Sequence, residues 1–369
     1  MSQGKPLQKK FACKEIPVIR GVQAGKEYYT AMCTLDFVSK NFHFPPIGIP
    51  EEKIIQRKYN KARIPKIASY LVKYANDYIL PPIIISIDGT VEFHPLTELV
   101  DNQQIGVLRI SEMANFFIND GQHRCGAIKQ AVHQKESLKR ETLPVVFYVD
   151  KGIKKARQMF SDLNGHPVRP NQNINITFDS REFINELTRA LIAELPLFSE
   201  RVEMFLASCA KGSSKIFTIT SIANANRVLV TGLTDALEAK SICLEFWNVL
   251  QQALPELNDL VKSKNNLSAK HIKENYFYVY AIALQSIAVV AAELRKSDPD
   301  NWKNRLGKIS KINWKRDNSE WEGRAMSGGK LTTGANHPTL TINLIKIRLG
   351  LPLNASEQKV EKQFKRTNV

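Results

Sequence analysis

The sequence predicts an α+β protein: a mixed α/β N-terminal half followed by a mainly α-helical, basic C-terminal half. Three observations lead there. Short apolar runs punctuated by Pro, Gly and Asp dominate to about residue 150. Apolar positions spaced by three and four dominate after about Asp179. A chain of 369 residues, 43% of them hydrophobic, is long enough for two cores.

Residues 1–30 are basic, with Lys5, Lys9, Lys10, Lys14, Arg20 and Lys26 against Glu15 and Glu27. Apolar alternation around Ile16, Val18 and Val22 marks them as a basic arm or an edge strand, ahead of an α/β domain at 31–178 and a helical DNA-binding domain at 179–369. Ile64, Ile67, Leu71, Tyr74 and Tyr78 follow helical spacing, with Pro65 near the start, which predicts a helix to about Tyr78. Pro81-Pro82 stops it. A buried strand follows at 83–87, Asp88-Gly89 reads as a hairpin turn, and 91–93 returns. Further strands are expected at 105–110, 116–118 and 143–149, and a helix at 154–163 before Asn164-Gly165. Beyond Asp179, Phe183, Leu187, Leu191 and Leu195 share one helical face, and 237–254 and 276–294 are longer helical patterns. The apolar tract 276–292 is broken by Gln285-Ser286 and falls short of the roughly 20 residues that span a bilayer, so it is expected as a core helix.

Lys plus Arg number 52 against 36 Asp plus Glu, a net charge of +16. Such an excess points to a polyanion, most naturally nucleic acid, although a basic surface also aids solubility. Cys13, Cys33, Cys125, Cys209 and Cys243 are scattered and contain no C-x-x-C pair, which argues against a disulfide framework or zinc knuckle and for a reducing cytoplasm. No charged-then-apolar leader precedes Lys26, so neither secretion nor a membrane partner is expected.

The most informative stretch is Asp120-Gly121-Gln122-His123-Arg124. An apolar strand precedes it and a helical pattern from Cys125 follows, so it falls at a helix N-terminus, where unpaired N–H groups and the helix dipole attract anions. Gly121 permits close backbone approach, Arg124 can grip phosphate oxygens, and His123 can move a proton near neutral pH. A plainer reading of each residue is also open: Asp120 as a helix cap, Arg124 in a surface ion pair, His123 packed locally.

A second candidate is the segment 302–330, where Lys303, Arg305, Lys308, Lys311, Lys315, Arg316, Arg324 and Lys330 face only Asp317, Glu320 and Glu322. Trp302, Trp314 and Trp321 are interleaved. Either this is a nucleic-acid surface with rings for stacking, contacted through Lys308, Lys311, Lys315, Arg316, Arg324 and Lys330, or it is a solvated basic face whose tryptophans anchor a loop. Residues 218–232 could hold a helix-turn-helix in which Asn224, Asn226 and Arg227 read bases, or an ordinary helix pair.

Arg63-Ile64-Pro65-Lys66-Ile67-Ala68-Ser69-Tyr70-Leu71, Pro81-Pro82-Ile83-Ile84-Ile85-Ser86, the motif at Asp120 to Arg124 and Phe160-Ser161-Asp162-Leu163-Asn164 together resemble the DGQHR-domain family. Within it, the likeness is greatest to the DndB proteins of bacterial DNA sulfur modification (phosphorothioation). The likeness is firm over 57–181 and thinner beyond, where Ile312-Asn313-Trp314 and 339–349 also resemble that family. It implies a ParB/sulfiredoxin-like core whose G-x-x-R turn holds nucleotide phosphates. Carried onto this chain, Gly121 and Arg124 would hold phosphate with His123 beside them.

The resemblance further implies binding of double-stranded DNA at the promoter of the chain's own gene cluster, negative regulation of that cluster, and association with other sulfur-modification proteins. ATP or another nucleotide is the implied cofactor. Sulfiredoxins carry their reactive cysteine where this chain has Gln122, so sulfiredoxin chemistry is not expected. Cys125, on the first helical turn, is either a dipole-activated thiol or a small buried side chain.

Met326-Ser327-Gly328-Gly329-Lys330-Leu331 lacks the spacing and final hydroxyl of a P-loop, and no Rossmann fingerprint is present. Nucleotide hydrolysis would therefore arise at the Asp120 to Arg124 cleft, with Asp120 and His123 as catalytic candidates and Mg²⁺ bridging Asp120 and phosphates. Asp162 and Asn164 could join the nucleotide site, or Asn164-Gly165 could simply cap a helix. Arg57, Lys58 and Arg63 could add phosphate contacts or solvate a helix face. Two functions stand: a DNA-binding transcriptional repressor with a nucleotide-sensing site, and a nucleotide hydrolase or phosphotransferase of the ParB/sulfiredoxin superfamily. A palindromic operator would imply a homo-oligomer, although no heptad pattern supports one.

Overall fold

A computed structural model describes residues 12–43, 61–96, 104–149, 171–263, 267–332 and 334–367. The chain divides into two compact units, Met1–Val168 and Arg169–Val369. Helices in the C-terminal part and a mixed seven-stranded sheet in the N-terminal part give the α+β class that the sequence predicts.

The N-terminal unit is built on strands β1 (Cys13–Gln23), β2 (Lys26–Thr34), β3 (Ile83–Asp88), β4 (Val91–Pro95), β5 (Ile105–Ser111), β6 (Asn115–Asp120) and β7 (Thr142–Val149). Their order in the sheet is β4-β5-β1-β2-β7-β3-β6, antiparallel throughout except for β3 beside β7. Residues 13–30, expected as an arm or edge strand, instead supply interior strand β1 and most of β2. The alternation that suggested a strand is real: Ile16, Val18, Tyr29 and Ala31 point into the core. Ala24 and Gly25 both have positive φ, the two-residue hairpin geometry that matches strand twist.

Asp88-Gly89 is not a hairpin turn. β3 pairs with β6 and β7, whereas β4 pairs with β5. The runs β3–β4 and β5–β6 form one long antiparallel ribbon, with Asp88 opposite Asn115 and Val91 opposite Ile110, bent where Gly89 meets Ala114. Its two halves join opposite ends of the sheet, so the pairing returns on itself as in a barrel. Tyr29 of β2 meets Phe93 of β4 with ring centroids 5.5 Å apart, inside this curl. At the bend a Cβ on residue 89 would lie 2.6 Å from the Ala114 Cβ, so only glycine fits.

Helices α1 (Leu35–Asn41), α2 (Ile64–Lys73) and α3 (Gln122–Gln134) cover the sheet, with α3 packed against both others. The Thr34 hydroxyl caps α1, and Pro65 opens α2. α2 ends at Lys73, earlier than its apolar spacing suggests, and the Tyr78 hydroxyl is held by the Glu141 carboxylate instead of continuing the helical face. The expected helix at 154–163 lies outside the described residues.

The C-terminal unit has its own core, in which Phe198, Phe217 and Phe246 meet Trp247 edge to face. The apolar tract near 276–294 becomes helix Ala281–Ser297, buried along Leu284, Ile287, Ala288, Val290 and Ala291. Residues 276–280 precede it outside the helix, because Tyr276 bridges Lys315 and the Phe277 amide bonds the Trp314 carbonyl. On helix Phe183–Glu194 the buried face runs through Ile184, Leu187 and Leu191, leaving Phe183 exposed. Arg324 is buried and bidentate on Glu361, with N–O distances of 2.6 and 2.9 Å.

Gly89→Val is expected to lower the unfolding free energy by about 1–3 kcal/mol, read by denaturant titration, because the added methyls strike the Ala114 backbone. Glu361→Ala strands the buried Arg324 guanidinium and is expected to cost about 3–5 kcal/mol. The Arg324 hydrogen bonds hold the Glu361 carboxyl below the ordinary carboxylate range. Its contribution is therefore complete above the unfolded value of about 4.3 and lost as pH falls through the lower folded value. The stability gap between wild type and Glu361→Gln should accordingly narrow in acid and stay constant above pH 5.

Candidate functional site

β6 runs directly into α3 through one residue. Asp120 is the last residue of the strand, Gln122 the first of the helix, and Gly121 between them has φ 108°. No side chain caps α3, and its first main-chain bond is from the Cys125 amide to the Gly121 carbonyl. The amides of Gln122, His123 and Arg124 thus precede the first helical donor, the Cys125 N–H, and sit at the positive end of the dipole.

Gly121 is required twice. Its φ lies where side chains are strained, and a Cβ there would come within 3.0 Å of Ile83 Cγ1 and 3.1 Å of Arg124 Nη2. The guanidinium therefore lies against the glycine. Arg124 Nη2 donates to Asp120 Oδ2 at 2.6 Å and to the Pro82 carbonyl at 3.0 Å, which fixes its plane. Arg124 Nε is buried and makes no hydrogen bond among the described residues. The Arg124 side chain is 17% exposed and that of Asp120 43%, so the arginine forms the floor and the carboxylate the rim.

These residues line a cleft of about 320 Å³ together with Arg63, Ile67, Tyr70, Leu80 and Pro81. Arg63, exposed at the start of α2, adds a second cation. Burial, then the charges of Arg63 and Arg124, pull the His123 imidazole below its ordinary value, so it is neutral at pH 7. Tyr70 is fixed where its hydroxyl accepts from the Ile79 amide at 3.0 Å. One end of the cleft is thus cationic and rich in donors; the other is an apolar wall with one aromatic ring.

All five residues of the Asp120 to Arg124 motif meet in this cleft, and Arg63 joins them. The wall of Ile67, Tyr70, Leu80 and Pro81 was legible only as helix face and helix stop, because its role depends on α2 packing against α3. Asp162 and Asn164 lie outside the described residues, as do Arg57 and Lys58. Among the described residues, Asp120 is the one carboxylate in the cleft lining, and no group of three or more His, Cys, Asp or Glu side chains suited to a metal occurs. Burial pushes the Cys125 thiol up to about 12, so it is a packed, protonated side chain and not a dipole-activated thiolate.

In the C-terminal unit, Lys308, Lys311, Lys315 and Lys330 are exposed and Arg316 partly so. Arg316 spends its guanidinium on the Lys273 and Gly329 carbonyls. Arg324, grouped with them as a nucleic-acid contact, is buried in its pair with Glu361 and cannot reach a ligand. Trp302, Trp314 and Trp321 are buried, and the indole N–H groups of the last two donate to Ile309 and Asn313 carbonyls, so these rings anchor the loop and offer no stacking surface. Asn226, a candidate base reader, is buried between Thr188 and Trp247. The sequence pattern missed this because period alone cannot separate a buried amide from an exposed one.

No helix among the described residues is long and apolar enough to cross a membrane. No curated protein and no solved structure matches the chain. The family model DndB, described as DNA-sulfur modification-associated, matches residues 16–352, from within β1 to just past helix His337–Arg348 and well beyond the region where the motifs are densest. With most of both units inside one match, the chain belongs to the DndB family of DNA-sulfur modification-associated proteins.

Proposed function

We propose that this protein is a DNA-binding repressor of a DNA-phosphorothioation gene cluster, and that the Asp120 to Arg124 cleft binds a nucleotide whose presence sets its affinity for DNA. One observation carries the nucleotide part. The Arg124 guanidinium is laid across Gly121 at an uncapped helix N-terminus, with Arg63 lining the same cleft. Oriented amides, a fixed guanidinium and a second cation are what a phosphate group requires. The apolar wall with Tyr70 suits a base or sugar. Net charge +16 and membership of a DNA-modification family support the DNA part.

ATP fits this donor set through its phosphates. For Mg²⁺ the cleft offers Asp120, whose Oδ2 already accepts from Arg124, so the metal would be held chiefly by the nucleotide's own oxygens. A hydrolase reading rests on His123, whose imidazole is neutral at pH 7 and so able to accept a proton from water. In that reading Arg124 and Arg63 would stabilise charge on the transferring phosphoryl group, and Asp120 would position Arg124.

Binding to the DNA upstream of the chain's own gene cluster should exceed binding to random duplex by about a thousandfold, and ATP or CTP should change that ratio. Equal affinity for both duplexes overturns the repressor reading. Arg124→Ala should weaken nucleotide binding by about tenfold to a hundredfold, measured calorimetrically, from loss of charge-assisted hydrogen bonds. If turnover occurs, both Arg124→Ala and Asp120→Ala should abolish it. In a proton NMR titration the His123 midpoint should lie below the ordinary value of about 6.5 and rise when phosphate or ATP is added. A midpoint unmoved by ATP places the nucleotide elsewhere.

A further inference from the structure

The last helix, Ala355–Thr367, sorts its charges by face. Its two acidic residues, Glu357 and Glu361, are buried, although buried carboxylates are rare. Glu361 takes both guanidinium nitrogens of Arg324 and the Asn343 amide at 3.1 Å. Glu357 accepts from Lys346 Nζ at 2.6 Å and from the Asn354 amide at 2.9 Å, while Asn354 Oδ1 accepts from the Glu357 amide at 2.9 Å. This is a capping box that also anchors the helix start to a buried lysine.

With both carboxylates turned inward, the outward face is left to Lys359, Lys362, Lys365 and Arg366, all exposed. The other exposed side chains of the helix, Gln358 and Gln363 among them, are uncharged. Lys359, Lys362 and Arg366 are spaced by three and four, so they form one stripe about 10 Å long, with Lys365 flanking it. The nearby carboxylate that acts on Lys365 is Glu361, whose oxygens are already committed to Arg324 and Asn343. An ordinary surface helix would screen such a row with i,i+4 glutamates. Here the glutamates serve the interior.

We propose that this helix face is a contact surface for the DNA phosphodiester backbone, one that supplies sequence-independent affinity. The inference rests on the DNA-binding reading above and assigns part of that affinity to a helix that the segment 302–330 does not include. A lipid surface is the poorer match. The apolar side of the helix is engaged with the protein, where Phe364 lies under the Arg324 guanidinium at 4.4 Å, so no apolar face is available to enter a bilayer. The stripe can engage only through charge, and duplex DNA presents about one negative charge per 1.7 Å of its axis.

The test uses the full chain with Lys359→Gln, Lys362→Gln, Lys365→Gln and Arg366→Gln combined, alongside Lys362→Gln alone. Duplex binding is followed by fluorescence anisotropy between 50 and 300 mM salt. None of the four side chains takes part in the buried pairs, so the melting temperature should be retained. The slope of log K against log salt should flatten by about three units in the combined variant and by about one in the single variant. An unchanged slope in both folded variants, with wild type binding normally, overturns the proposal alone. Absence of any duplex binding by wild type at low salt overturns the DNA-binding reading and this proposal together. Loss of binding to phosphatidylserine vesicles with an unaltered DNA slope assigns the stripe to lipid and overturns it as well.

Discussion

The close approach of Gly89 to Ala114 is the constraint from which the N-terminal unit follows. Because Gly89 carries no side chain where it meets the Ala114 methyl, a single ribbon can bend and deliver its halves to opposite ends of the sheet. That places β6 beside β3, and the end of β6 beside the chain that leaves Pro82. The Pro82 carbonyl and the Asp120 carboxylate then bracket one guanidinium nitrogen. A fault at the bend, at the ends of β3 and β6 opposite the cleft, would move the two acceptors that orient Arg124.

Electrostatics in the two units follow one logic with opposite outcomes. At the cleft, a cation is kept partly exposed and held by a rim carboxylate, so it remains able to meet an anion. In the C-terminal unit, Arg324 and Lys346 are sealed with Glu361 and Glu357, and their charge is cancelled where it lies. Desolvation makes such pairs a weak source of net stability, yet removing one partner is costly because it strands the other charge in the interior. The cations that remain exposed are fewer than a count of Lys and Arg suggests.

Much of this architecture was legible in the sequence because it rests on local pattern. The strands at β3, β5 and β7, the helix from Ala236 to Ala253 and the strand-to-helix junction at Gly121 are each written in period, punctuation and one obligatory glycine. What was not legible depends on pairing at a distance. Gly89 looks like a hairpin turn until β4 is seen to pair with β5, and the basic N-terminal stretch looks like an arm until β1 is placed between β5 and β2. At the site, the motif announced itself, whereas Tyr70 and Leu80 gained meaning only from the packing of α2 on α3. The tryptophans misled in the opposite sense: interleaved with lysines, they suggested a stacking surface, yet Trp314 and Trp321 are buried against Phe277.

Burial of Arg324 also changes how loss-of-function genetics on this chain would read. A screen for variants that lose the proposed DNA binding would return substitutions at Arg324, Glu361 and Lys346 beside those at surface residues, since each dismantles the seat of the last helix. The two classes share a phenotype but differ in protease sensitivity and in cellular abundance. Sorting variants by the amount of intact protein would therefore separate residues that act at the surface from those that hold that surface in place.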